Sequence, residues 1–199
     1  MFSGLLAELE KNLKRLPGIG TKSAQRLAMF LISNHRDVAI NLADSIQQAV
    51  ENYTNCSVCN ILTEHDVCEF CSSKHRDDQL LCIVENTQDV FLVENTQEFR
   101  GKYFVLNSLL SPIDGIGPDE INFDDLMKLV KERDIQEIVL ALSPSAEGES
   151  TISFLASELE PFVNNITRLS TGLPFGGDIE YTNKLTLGNA LKRRYSVLD

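Results

Sequence analysis

Nowhere in this 199-residue chain does an apolar run approach the roughly 20 residues that span a bilayer, so no membrane helix is expected. The opening Met1-Phe2-Ser3-Gly4-Leu5-Leu6-Ala7-Glu8 lacks the basic start of a secretory signal and soon turns charged. Cysteine is sparse: five residues are too few for a disulfide-stapled secreted scaffold of this length. Reduced thiols and no export signal together set the expectation of a cytoplasmic protein. Internal repeats and low-complexity linkers are also missing, so the modules are expected to join tightly.

The last absence is local. Residues 11 to 36 contain no Asp or Glu, yet hold Lys11, Lys14, Arg15, Lys22, Arg26 and Arg36. The whole chain carries −11, from 18 basic and 29 acidic residues. Only Glu8 and Glu10 precede the basic block, so the 12 basic and 27 acidic residues after it carry −15. Net charge alone argues against a nucleic-acid partner. A basic head on an acidic body reverses that, because it focuses polyanion attraction at one end.

Four of the five cysteines form two knuckles, Cys56-Ser57-Val58-Cys59 and Cys68-Glu69-Phe70-Cys71. Two residues between thiols let both sulfurs reach one ion, with amide N–H groups turned toward them. The intervening Asn60–Val67 has no apolar run able to form a core, so zinc must supply the folding energy, roughly 10–16 kcal/mol. Four sulfur ligands leave no position for a catalytic water, which makes Cys56, Cys59, Cys68 and Cys71 a structural Zn²⁺ site. Cys82 sits in an apolar run and is expected in the core.

Ahead of the knuckles, Leu5, Leu6, Leu9, Leu13 and Leu16 predict an amphipathic helix ending at Pro17. A second helix is expected through about Ser33 with Leu27, Phe30 and Leu31 as its apolar stripe, and a third from Val38 to about Asn52 with Ile40, Ala43, Ile46 and Val50 inward. Between the first two lies Leu16-Pro17-Gly18-Ile19-Gly20, the turn of a helix-hairpin-helix. Gly18 and Gly20 permit positive φ and leave room for backbone N–H groups to approach a phosphate. Lys22 and Arg26, four apart on the second helix, would flank that phosphate run and position the protein without reading sequence.

After the knuckles, strand and helix patterns alternate: Leu80–Glu85, Thr87–Asn95, Phe104–Leu106, Phe123–Glu132, Glu137–Leu142, Glu149–Leu159 and Ile166–Leu169. This predicts a small parallel α/β sheet. Asp114-Gly115-Ile116-Gly117-Pro118 has flanking acids and an immediate proline, and is read as a loop. A last helix, Lys184 to about Arg194, has Leu185, Leu187 and Leu191 on an apolar side. For its basic end, Lys192-Arg193-Arg194, two readings stand, DNA contact or complement to the helix dipole, the second slightly favoured.

The order of these parts resembles the RecR family of bacterial recombination mediators, over nearly the whole chain. The matching runs include Lys22-Ser23-Ala24-Gln25-Arg26-Leu27-Ala28, Leu109–Pro118, Glu147-Gly148-Glu149 and Gly172-Leu173-Pro174-Phe175-Gly176-Gly177. The resemblance implies a mixed α and β, multi-module fold: a helix-hairpin-helix head (1–53), a four-cysteine zinc finger (54–76), a Toprim domain (77–172) and a C-terminal oligomerisation segment (173–199). It implies work in DNA repair at gaps and junctions, with RecO and RecF, helping to load RecA on single-stranded DNA. It also implies head-to-head dimers that build a tetrameric ring. Lys22 and Arg26 match the family's DNA-contacting residues, and Glu147, with Glu149 beside it, lies in the loop presented to RecO. Catalytic Toprim domains hold Mg²⁺ with a glutamate after the first strand and an Asp-x-Asp after the third. Here Glu85 fills the first place but Ser143 and Ser145 stand at the other two, so the domain is expected to be non-catalytic. A Mg²⁺-dependent enzyme using Glu85, Glu147 and Glu149, and an adaptor whose acidic surface binds partners, are the rival readings.

Overall fold

The computed structural model describes residues 2–33 and 35–196, and the chain divides into two compact units, Met1–Tyr53 and Thr54–Asp199. Residues 197–199, the end of the expected C-terminal segment, lie outside the described residues.

The first unit is three helices, α1 (Gly4–Leu13), α2 (Thr21–Ser33) and α3 (Arg36–Asn52). The first stops short of Pro17. From Lys14 onward the chain tightens into a turn in which Arg15 donates to Asn12 and Leu16 to Leu13, three residues back. The helices meet through small side chains: among the described residues of this unit Ala24 and Ala28 are the fully buried ones, and Gln25 donates to Glu10 across α1 and α2. Two expectations fail here. Phe30 is about half exposed and stacks on His35, so the seam of α2 runs through its alanines. In α3 no residue is buried; Ile40, Ala43, Ile46 and Val50 do not point inward, and Ile46 and Val50 are 56% and 77% exposed. The stripe is real at helical spacing, but the unit has no second layer to cover it.

The second unit begins with the zinc module. A two-stranded antiparallel ribbon, β1 (Thr54–Asn55) and β2 (Leu62–Thr63), carries the first knuckle, and the single turn α4 (Glu69–Ser72) carries the second. A four-stranded sheet follows, all parallel, in the order β4-β3-β5-β6, from β3 (Asp77–Val84), β4 (Gly101–Val105), β5 (Glu137–Ala141) and β6 (Asn165–Arg168). The connections run through α5 (Thr87–Thr96), α6 (Phe123–Glu132) and α7 (Ala146–Leu159). Leu81–Val84, Phe104, Ile138, Leu140, Leu126, Leu155 and Leu159 form the core, and Cys82 is among them as expected. Burial pushes the Cys82 thiol up to about 12.

One feature of the sheet is unusual. β4 is an edge strand, yet all five of its residues are buried. An open edge exposes a row of unpaired N–H and C=O groups. Here the zinc module covers it, with the Val105 N–H donating to the Cys59 carbonyl at 2.9 Å. The strand therefore starts three residues earlier than the apolar run Phe104–Leu106 suggests.

The chain ends in a 3₁₀ turn (Ile179–Tyr181) and α8 (Lys184–Lys192), capped by Asn183, which accepts from the Thr186 N–H at 2.9 Å. Leu185 and Leu191 are exposed.

Candidate nucleic-acid interface and metal centre

At the hairpin, Gly18 has φ +78°, a conformation that favours glycine, and Ile19 N–H closes the turn onto Leu16. Gly20 differs from the expectation. Its φ is ordinary and a Cβ there would meet nothing within 4 Å, so neither the dihedral nor packing within the chain requires glycine at this position. Its carbonyl accepts the first bond of α2, from Ala24 N–H at 2.9 Å. The N–H groups of Thr21, Lys22 and Ser23 are thus the orphan donors of a helix start. Lys22 and Arg26 are exposed on α2, and Lys11, Lys14, Arg15 and Arg36 are exposed as well. The head presents six cations to solvent in a stretch with no acid.

The four sulfurs of Cys56, Cys59, Cys68 and Cys71 lie within 4.8 Å of one another, three of the residues fully buried. Tetrahedral zinc with bonds of about 2.3 Å spaces its sulfurs ~3.8 Å apart, and Cys59 Sγ to Cys68 Sγ is 3.5 Å. Backbone N–H groups point at the sulfurs: Cys68 N–H donates to Cys56 Sγ at 3.3 Å and Cys71 N–H to Cys68 Sγ at 3.4 Å. The thiols of Cys59 and Cys71 hold Cys68 far below the ordinary thiol range, while the bond to Cys68 drives Cys59 far above it. Four such thiols cannot all ionise side by side without a cation, and a divalent ion is what lets them. The donor set fits structural zinc. Among the described residues this is the one group of three or more His, Cys, Asp or Glu side chains placed to hold a metal.

The ends of the parallel strands form no second such group among the described residues. Glu85 follows β3, half-buried. After β5, Ser145 caps α7 by accepting from the Gly148 N–H at 3.0 Å, which starts that helix at Ala146 instead of Glu149. A Cβ on Gly148 would lie 1.8 Å from the Ser143 carbonyl oxygen, so glycine alone lets the helix begin this close to the strand end. Glu147 is exposed in the first turn. Glu149 is already engaged: Arg168, on β6, donates to both its oxygens at 2.8 and 2.5 Å and holds its carboxyl below the usual range. In the 111–120 loop, the Gly117 N–H that a phosphate would need donates to Glu120 at 2.8 Å, in keeping with its reading as a loop. At the end of α8, Arg194 donates to the Leu191 carbonyl at 3.1 Å, which favours the dipole reading of the basic triplet.

Sequence reasoning missed two residues that dock the zinc module. Arg76 donates to the Gly101 carbonyl at 2.8 Å, lies over the Phe70 and Tyr103 rings, and pairs with Glu94, which also accepts from the Tyr103 hydroxyl. Lys102 is 2% exposed. A lysine directly ahead of Tyr103-Phe104-Val105, where an inward position falls in the strand, was the available signal.

Four family descriptions match the chain in sequence. The RecR helix-hairpin-helix covers residues 6–50, the RecR four-cysteine zinc finger domain 54–73, the Toprim domain 79–170 and the RecR C-terminal segment 172–195. Proteins named "Recombination protein RecR" are similar throughout. That of Francisella philomiragia is 42% identical over 197 residues, covering 99% of this chain and 98% of the relative. That of Gloeothece citriformis is 43% identical over 194 residues, covering 98% and 97%. That of Francisella tularensis subsp. tularensis is 42% identical over 197 residues, covering 99% and 98%. Head, zinc knuckles, parallel sheet and C-terminal segment thus match in one continuous order, and the chain belongs to the RecR family of recombination proteins.

Proposed function

We propose that this protein is a DNA-binding mediator of recombinational repair with no turnover of its own. It acts in the cytoplasm with RecO and RecF to help load RecA on gapped single-stranded DNA, and it works as a ring of dimers paired into a tetramer. The modules are a DNA-binding head (1–53), a zinc finger (54–76), a Toprim scaffold (77–172) and an oligomerisation segment (173–199).

The observation that carries this reading is the head. Lys22 and Arg26 stand exposed one helical turn apart in the first half of α2, following the Gly18 turn, in a stretch of sequence, 11–36, that holds six exposed cations and no acid. Phosphate binding there needs no sequence readout. Self-assembly is supported by the uncovered stripe of α3 and by exposed Leu185 and Leu191 of α8. A ring also answers the charge problem, because several heads on one DNA act multivalently where a single head is opposed by a body at −15.

Two features weigh against metal-dependent turnover by the Toprim scaffold. Ser143 and Ser145 are neutral where a Mg²⁺ site needs carboxylates, and Glu149 is held by Arg168. Glu147, exposed and unshared with Arg168, is the better candidate for contact with RecO, with Glu149 orienting that turn.

The test is DNA binding at several salt concentrations, with mass in solution, for the parent and Lys22→Ala/Arg26→Ala. Loss of two phosphate contacts should flatten the log–log salt slope by roughly 1.4–1.8, with assembly unchanged. A double variant that binds as the parent does at equal salt would sink the hairpin assignment and turn attention to the adaptor reading.

A further inference from the structure

The mediator reading makes no use of Lys102, the one buried cation among the fully buried residues described. It lies on β4, and its Nζ donates to three backbone carbonyls in and just past the second knuckle: Phe70 at 3.0 Å, Cys71 at 3.1 Å and Ser73 at 2.6 Å. The first two are among the last carbonyls of the α4 turn, which that turn cannot satisfy itself, and the third belongs to its C-cap residue. The acid nearest to it is Asp78, 3.3 Å away and 74% exposed, hence well screened by water. A buried ammonium is costly unless a compensating charge stands close by. Arg76, the neighbouring cation, is already matched by Glu94. Lys102 therefore faces the knuckle with no buried acid of its own.

The knuckle supplies the missing charge. Four thiolates around one Zn²⁺ leave two net negative charges, most of them buried with the sulfurs. Cys71, whose carbonyl touches the ammonium, is itself one of the four ligands. The same strand grips the first knuckle through Val105 and Cys59. Both halves of the metal site are thus fixed to one edge strand, by one backbone bond and one buried cation.

We infer that Lys102 is a positioning residue of the zinc centre: it fixes the turn that presents Cys68 and Cys71 and supplies the positive charge that offsets the tetrathiolate. Outer partners of metal ligands are commonly worth tenfold to a hundredfold in metal affinity. The experiment loads the full chain with zinc and measures its retention against a competing chelator, in the parent, Lys102→Met, Lys102→Gln and Lys74→Met. Lys74 is exposed three residues beyond Cys71, so its loss removes an equal charge nearby without touching the cage. Retention should fall about tenfold to a hundredfold in Lys102→Met and Lys102→Gln, and stay within about twofold in Lys74→Met. Zinc held as tightly as in the parent overturns the inference, even if the variants melt earlier, because Lys102 would then be structural only. A loss that Lys74→Met reproduces overturns it too. Should Lys102→Met fail to fold, Lys102→Gln decides by the same criteria, since its amide retains donors for the carbonyls but no charge.

Discussion

The two units solve the problem of burial in opposite ways. The second sinks a continuous core of strand and helix residues and covers even its edge strand. Among its described residues the first buries two alanines, and its 17-residue third helix buries nothing. Stability in the second unit comes from its own packing and from metal. The first leaves its apolar stripe uncovered, and that stripe is the surface the proposed assembly would use. A helix of α3's length gains most of its stability from packing an apolar face, not from propensity.

The largest test of this contrast is removal of zinc. Zinc binding is worth roughly 10–16 kcal/mol in peptides of this kind, and whole domains are stable by roughly 5–15 kcal/mol. Stripping the metal, or replacing Cys68 with Ala, should unfold the 54–73 module and expose β4. Hydrogen exchange at the Val105 amide, which bonds to Cys59, should then accelerate while amides of α1 and α2 keep their protection. Uniform loss across both units would break the contrast.

Core truncation comes next. Leu126→Ala should cost about 2–5 kcal/mol, read from the urea midpoint, because the side chain is fully buried. Ile46→Ala should change the stability of the dilute chain by no more than about 0.5 kcal/mol, since that side chain is largely exposed. Ile46→Asp should nonetheless weaken self-association at least about tenfold in sedimentation, as a desolvated charge costs more than one such decade. An assembly indifferent to that charge would mean the stripe is not the contact.

The smallest expected effect concerns the Toprim strand ends. Arg168 lowers the Glu149 pKa, so the pair stabilises the fold above the ordinary carboxylate range and loses that contribution as pH falls through the depressed value. Glu149 is 51% exposed, so screening limits the pair to under about 1 kcal/mol. Arg168→Ala should therefore lower the melting temperature slightly at pH 7 and by less at an acid pH below the depressed Glu149 value. An equal loss at both values would assign Arg168 a packing role instead.

Much of this was legible in order and spacing. The cysteine knuckles, the alternation of strands and helices, and α6 at Phe123–Glu132 follow from local patterns. What local pattern could not carry was the destination of each apolar face. The stripe of α3 looks identical whether it meets its own unit or another surface. Periodicity likewise hid Lys102 and Arg76, since a cation beside an apolar strand reads as a strand end until the carbonyls it satisfies, about 30 residues away in sequence, are in view. Glu149 looks free to meet a partner in the sequence because its own partner, Arg168, lies on the next strand.

The covered edge of the sheet has a consequence for damage. Of the five thiols, Cys82 is buried with a raised pKa, whereas zinc holds the other four as thiolates and Cys71 among them is only half-buried, so oxidants reach the knuckles first. Losing one of them lifts the module that shields β4, laying bare a buried strand with the sequence Gly-Lys-Tyr-Phe-Val. A bare edge of that kind templates strand addition between chains. Peroxide treatment should thus appear first as zinc release and then as light-scattering aggregates, in that order, and excess thiol should rescue the protein only in the interval between them.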